Sequence, residues 1–568
     1  MDVSYNFRVP KNLGVAILLV VASLAFQSCF ITLDAFVSDE GIVLVAADDV
    51  AHGRLLYRDI SVPLTPAVYL LQGLAFKIFG SSLLVSRALV AIVYASSVVA
   101  VFALALCFVP RRKAAIAGSL AIPLQVWMWP HAQYFSYNTL AILLCLVALR
   151  AAWSIERGPH RIRSALVFGA VLAAALWVKP NLPVAIGAGV LLYWLTGWLR
   201  SAIGLPCARD RGFADLLGEG LATLAGIALA SLPMVVYLAI NGIFDDFIRS
   251  VTLIAGIYGD SPVGLFPSLF PLTEQIDAVR MSQDLVVPGM LANGTDGLAA
   301  SHAYQYLIAY TGWIDLAVRV VYYLPVALYL ATAATLGHGL WRRSWSQRDE
   351  AALFTFFGAV LLYLTIISFP AVHYMTPTLL PLVALTVFVY SRFEPSTAPA
   401  LKRIHKTLGF AAVGAFLAAS FAALFVYLGI PRAPVHTPRG TFWVGLSTAR
   451  LWNEILDYTE SALSEEDQIF AVPYFPLFYF MSERDHPTRY VALGPGLPGM
   501  EAEDEIIGYL EHNGVDFVLS ATGVEYPGLE GFESSYPRLH HYLTTRFALD
   551  RRFEGRYRTY AKVLRRVD

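Results

Sequence analysis

Carboxylates gather in one place in this chain. Asp39 and Glu40 stand side by side where the first apolar run ends, in S-D-E-G-I-V-L-V-A-A-D-D-V-A-H-G-R-L-L-Y-R-D-I (Ser38–Ile60). Asp48, Asp49 and Asp59 follow, with Arg54 and Arg58 among them and Arg87 beyond. A carboxylate can take a proton from an attacking hydroxyl, and a cation can hold an anionic leaving group. Charges cost roughly several kcal/mol in hydrocarbon, so a cluster at its edge points to function. Other polar groups stand at the ends of apolar runs. They are Asn138 in S-Y-N-T-L-A (Ser136–Ala141), Lys179 in V-K-P-N (Val178–Asn181) and His373 in H-Y-M-T-P-T-L-L-P (His373–Pro381).

The elements that must position these groups are membrane helices. Of 568 residues 57% are hydrophobic and only 15% charged, a balance that fits a polytopic membrane protein and no soluble class. The formal net charge of −1 gives no footprint for nucleic acid. Apolar runs long enough for ~30 Å of hydrocarbon number about eleven. They fall near 13–33, 82–108, 113–130, 137–153, 164–178, 182–199, 214–240, 313–340, 351–369, 375–391 and 407–430. The first has no clear cleavage site and is kept as a helix. If every run crosses once, the basic clusters Arg8/Lys11, Arg111-Arg112-Lys113, Arg157/Arg161/Arg163, Arg200/Arg209/Arg211, Arg342-Arg343/Arg348 and Arg392/Lys402/Arg403/Lys406 share one side. That side is the cytoplasm by the positive-inside rule.

The N-terminus is then inside, and the loops 34–81 and 241–312 and the tail from 431 are outside. An outer site has no nucleotide pool, which favours a donor carried by the membrane itself. Gly41–Ala47 is too short to cross and should lie in the interface, with the acidic pair near its positive end. Pro63 and Pro66 precede a second short apolar piece, Ala67–Phe79, and 241–312 is long enough to form a lid. Residues 436–568 alternate short apolar and amphipathic stretches. They read as strands at Ile469–Val472, Asp516–Ser520 and Tyr557–Leu564, with helices at Glu503–Asn513 and Tyr536–Phe547. Cys29, Cys107, Cys145 and Cys207 show no metal spacing, and with none after residue 207 this domain has no disulfide framework.

The ordered set of motifs resembles the GT-C superfamily of polyprenyl-phosphate-dependent glycosyltransferases. It is most similar to the branch of protein O-mannosyltransferases and the lipid A aminoarabinose transferase. Asp39-Glu40, G-R-L-L-Y-R-D (Gly53–Asp59) with Pro63 and Pro66, and F-G-S-S-L-L-V-S-R (Phe79–Arg87) carry it, together with the three helix-end motifs quoted above. The resemblance covers roughly residues 13–430. It implies an α-helical polytopic membrane protein, GT-C-like, with residues 1–430 as the membrane domain and 431–568 as a small extracytoplasmic α/β domain. It also implies an inverting transfer of sugar from a polyprenyl-phosphate donor to a lipid, glycan or protein acceptor, in a bacterial inner membrane.

On this resemblance Asp39 holds the position of the catalytic base and Glu40 that of its partner. The plainer readings are a helix N-cap and a solvated flank. Lys179, Arg58 and Arg87 suit the lipid phosphate, although Lys179 could simply snorkel and Arg87 pair with a loop carboxylate. Asp59, Asn138 and His373 complete the expected substrate-binding set. No cofactor is certain; Asp48, Asp49 and Asp59 could hold a divalent cation by oxygen ligands or be solvated loop charges. His131, Trp127 and Trp129 read as an aromatic belt. A flippase or transporter of lipid-linked saccharide is the alternative, and would place ionisable groups mid-helix. A membrane scaffold is a third reading. Convergence of Asp39, Arg58 and Lys179 on one cavity discriminates among these.

Overall fold

The computed structural model describes residues 9–205, 213–260, 290, 312–366, 372–392, 399–464, 466–494, 498–500, 502–521, 532–554 and 560–567. Helices α1 (Val9–Ser28), α2 (Asp39–Ala51), α3 (Ala67–Phe79) and α4 (Leu83–Ala105) open the chain. They are followed by α5 (Arg111–Ala121), α6 (Gln125–Met128), α7 (Tyr137–Arg157), α8 (Arg161–Leu176), α9 (Asn181–Ala202), α10 (Phe213–Ile240) and α11 (Phe244–Asp260). The later helices are α12 (Gly312–Trp341), α13 (Gln347–Leu364), α14 (Val372–Thr378), α15 (Leu380–Arg392) and α16 (Pro399–Leu428).

Among the described residues six helices are long and apolar enough to cross a membrane, and shorter apolar helices pack with them. Each expected run contains a helix, but two are broken. The run 113–130 divides into α5, a 3-10 turn at Ile122–Leu124 and α6. Pro123 has no N–H for the ladder, so the α-helix ends before it. The run 375–391 divides into α14 and α15, with Pro377 and Pro381 at the break. Most of the expected lid, 261–311, lies outside the described residues. The bundle packs closely where small residues allow it. A Cβ on Gly226 in α10 would meet the Leu166 carbonyl of α8 at 2.1 Å.

The chain then turns to strands. β1 (Arg432–Thr437) and β2 (Gly440–Gly445) form a hairpin, followed by helix α17 (Leu446–Ala462). Strands β3 (Ile469–Val472), β4 (Phe517–Ala521), β5 (Phe547–Glu554) and β6 (Tyr560–Arg566) make a sheet in the order β3-β4-β6-β5, with only β3 and β4 parallel. Helices α18 (Leu477–Ser482), α19 (Ala502–His512), α20 (Phe532–Ser535) and α21 (Pro537–Arg546) complete this domain. The hairpin, α17, α18, α20 and β5 are additions to the elements read from the sequence.

Side chains alternate across the sheet, as a pleated strand requires. Phe470, Val472 and Val518 face a core with Ile506 and Leu510 of α19 and Leu539 of α21. Ile469, Ala471, Phe517 and Leu519 face the other way and join the core of the helical bundle. Both faces are therefore covered, which accounts for the uninterrupted apolar run of β3. The shared core also fixes the sheet relative to α2. A Cβ on Gly41 would lie 2.4 Å from the Leu477 amide nitrogen at the start of α18, so only glycine admits this approach. The β2 strand extends the contact: Trp443 exchanges backbone hydrogen bonds with Thr32 and Asp34, in the loop leading to α2.

Candidate active site

Asp39 is the first residue of α2, and Ser38, not Asp39, is the N-cap; the Ser38 side chain makes no capping bond. This position puts the carboxylate at the positive end of the helix. Tyr474, on the loop between β3 and α18, donates its hydroxyl to Asp39 Oδ1 at 3.3 Å. Burial pushes the Asp39 carboxyl up to about 6, against the hydrogen bond from Tyr474 and the charge of Lys179, which both favour ionisation. Lys179 lies in the turn between α8 and α9. Burial brings its ammonium down to about 8, against the attraction of Asp39. Tyr69 of α3 and Tyr134, before α7, also lie in the field of Asp39.

Behind Lys179 a polar chain fixes its direction. Lys179 Nζ donates to Asn138 Oδ1 at 2.5 Å, beneath the faces of Tyr137 and Tyr374. Asn138 Nδ2 in turn faces His131 Nε2 at 3.4 Å, and His131 Nδ1 lies 2.9 Å from the Tyr134 hydroxyl. With its oxygen facing the ammonium, the Asn138 amide points its nitrogen at the imidazole. His131 and Trp129 are fully buried, so the expected aromatic belt is corrected for both. Trp127 is partly buried and bonds Ser420 through Nε1.

Glu40 points away from this cluster. It is buried and paired with Arg87 of α4, with Nε–Oε1 at 3.2 Å and Nη2–Oε2 at 3.3 Å, and it accepts the Phe36 amide at 2.8 Å. Arg87 also donates to the carbonyls of Ile31, Leu33 and Asp34. This one guanidinium ties together the exit of α1, the loop and α2. Arg58 and Asp59 pair with each other at 2.7 Å on the exposed side of the loop, where Asp59 also accepts the Leu55 amide. Thus Asp39 and Lys179 converge, whereas Arg58 turns to its neighbour. His373 is in α14, but its side chain lies outside the described residues.

The far end of α2 is bound to the C-terminal domain by ions. Asp48 pairs with Arg439 at 2.9 Å, and Asp49 with Arg54 at 3.1 Å and His486 at 2.8 Å, around a cavity of about 440 Å³. Asp48, Asp49 and Asp59 each face an arginine. Among the described residues no group of three or more His, Cys, Asp or Glu side chains could hold a metal. Asp48, Asp49 and Asp59, each facing an arginine, form no such group. A second, small opening of about 40 Å³ reaches Tyr474 between Ile42, Ser61, Val62, Ser250 and Leu253. Its walls are mostly apolar, with hydroxyls at Ser61, Ser250 and Tyr474.

Tyr474 and His131 were not among the residues singled out for the site. Tyr474 is 435 positions from Asp39 and has no motif around it. The position of His131 just before S-Y-N-T-L-A was the only available signal.

No protein-family profile matches this chain, and no curated protein matches it. Solved structures do. ArnT from Cupriavidus metallidurans in the apo state has a TM-score of 0.51 at 12% identity, over 98% of this chain and 98% of that one. The same protein bound to undecaprenyl phosphate gives 0.50 at 13%, over 99% of both chains. The archaeal oligosaccharyltransferase AglB from Archaeoglobus fulgidus, in complex with an inhibitory peptide and a dolichol-phosphate, gives 0.46 at 12%, over 91% of this chain and 70% of that one. The likeness to ArnT runs through the helices and the C-terminal domain together, and this chain has the fold of that polytopic protein.

Proposed function

We propose that this protein is a membrane glycosyltransferase that moves a sugar from a polyprenyl-phosphate donor to an acceptor hydroxyl at the outer face, with inversion. The carrying observation is that Asp39 and Lys179 lie in each other's electrostatic field, with Tyr474 joining Asp39 to a small opening at the surface. Asp39 is the base: it takes the acceptor proton as the hydroxyl oxygen bonds to the anomeric carbon. The bond from that carbon to the lipid phosphate breaks, and its electron pair leaves with the phosphate. Lys179, held by Asn138, meets the charge that develops there. Glu40 and Arg87 act at a distance by holding the loop that carries Asp39. Arg58 and Asp59 stand at the rim, where a donor headgroup would pass.

That a protein of this fold binds undecaprenyl phosphate supports the donor class. The acceptor hydroxyl belongs to a lipid, glycan or protein. The same reading puts residues 1–430 in a bacterial inner membrane, with the N-terminus inside and 431–568 outside. The test is transfer from a radiolabelled panel of polyprenyl-phosphate sugars by membranes holding the wild type or Asp39→Asn. Loss of a general base costs about 10²–10⁴-fold, so Asp39→Asn at equal protein level should transfer at that fraction or less. Equal transfer by the mutant would remove Asp39 as base, and saccharide movement across proteoliposomes without transfer would favour a flippase.

A further inference from the structure

We propose that the C-terminal domain belongs to the acid–base machinery: Tyr474 is a positioning residue that orients the Asp39 carboxylate and favours its ionised form. The proposal rests on the reading of Asp39 as base, and three features carry it. The Tyr474 hydroxyl donates to Asp39 Oδ1 at 3.3 Å, so one carboxylate oxygen is engaged from the side of the sheet. The same tyrosine lines the small opening at Ile42, Ser61 and Ser250, so it stands between that opening and the base. Its placement is rigid. It follows β3 directly, the Pro473 carbonyl accepts the Leu493 amide at 2.6 Å, and the Leu477 amide donates to the Val37 carbonyl at 3.3 Å. With Gly41 pressed against Leu477, displacement of α18 would carry the phenol away from the carboxylate.

Among the described residues the groups that act on Asp39 come from four places. Lys179 reaches it from the α8–α9 turn, Tyr69 from α3, Tyr134 from the segment before α7, and Tyr474 from the C-terminal domain. Glu40, its neighbour in α2, is turned to Arg87. A donor to the ionised carboxyl lowers its pKa, so loss of the Tyr474 hydroxyl must raise it.

The experiment reads the carboxyl itself. A hydrophobic carbodiimide labels a protonated buried carboxyl, and labelling of Asp39 is followed by peptide mass spectrometry across pH, with Asp39→Asn as the blank. Wild-type labelling should fall away through about pH 6. In Tyr474→Phe the midpoint should move up, with several-fold more labelling at about pH 7. In a second variant, 3-fluorotyrosine at position 474 keeps the shape and strengthens the donor, and should move the midpoint down. The second variant also covers the case in which Tyr474→Phe fails to fold. Midpoints that stay in place overturn the proposal whatever the transfer assay gives. If the midpoints move but transfer does not depend on Asp39, the assignment of the base is at fault and the Tyr474–Asp39 contact stands.

Discussion

At the scale of the residue, the site depends on two groups whose ionisation burial resists. Asp39 at about 6 is a stronger base than an exposed aspartate yet remains mostly ionised at neutral pH. Lys179 at about 8 remains mostly protonated there. Transfer should therefore fall on the acid side as Asp39 gains a proton through about 6, and on the alkaline side as Lys179 loses one through about 8. Lys179→Gln should abolish the alkaline limb and weaken binding of undecaprenyl phosphate. A pH–rate series with a binding titration checks both, and an alkaline limb that persists in Lys179→Gln would exclude Lys179 as its source. Asp39, Asn138 and Lys179 were legible because each is a polar group at the end of an apolar run. His131 was misread, since a histidine next to tryptophans at a helix end looks interfacial until tertiary packing buries it.

At the scale of the element, α2 is a short helix held on every side. Arg87 and Glu40 fix its beginning, Arg439 and His486 its end, and α18 its flank. Breaking a buried ion pair leaves an uncompensated charge and costs about 3–5 kcal/mol, whereas removing both partners is often neutral. Arg87→Met should lower the melting temperature in detergent markedly, and Glu40→Gln with Arg87→Met should recover much of the loss. A double variant no more stable than Arg87→Met alone would show that the carbonyls of Ile31 and Leu33 need the guanidinium more than Glu40 does. The sequence placed α2 and α3 well, because each is an apolar stretch too short to span and bounded by charge or proline. It could not show that the expected spans 113–130 and 375–391 are broken, since hydropathy does not register a missing backbone donor.

At the scale of the whole molecule, Asp39, Asn138, Lys179 and Tyr374 gather at helix ends that the charge pattern assigns to one face. The Arg200–Glu350 pair, at 2.7 Å, lies at ends assigned to the other. Orientation is tested by labelling. In a chain whose cysteines are replaced by serine, Leu549→Cys should react with an impermeant maleimide on whole cells and Ser344→Cys should not. The reverse pattern would invert the topology and put the site on the side with nucleotide donors.

The sequence by itself determined the class of protein, the number of apolar runs, the alternation of basic clusters between them and the carboxylate that opens the first short helix. Hydropathy and charge are properties of contiguous residues, so they need no partner to be read. Only the tertiary structure decided which charges meet and hold the fold. Glu40 meets Arg87 across 47 positions and Asp49 meets His486 across 437, and such pairings are set by packing. The same holds for Tyr474, which reaches Asp39 because a sheet covered on both faces shares its core with the helix beneath it.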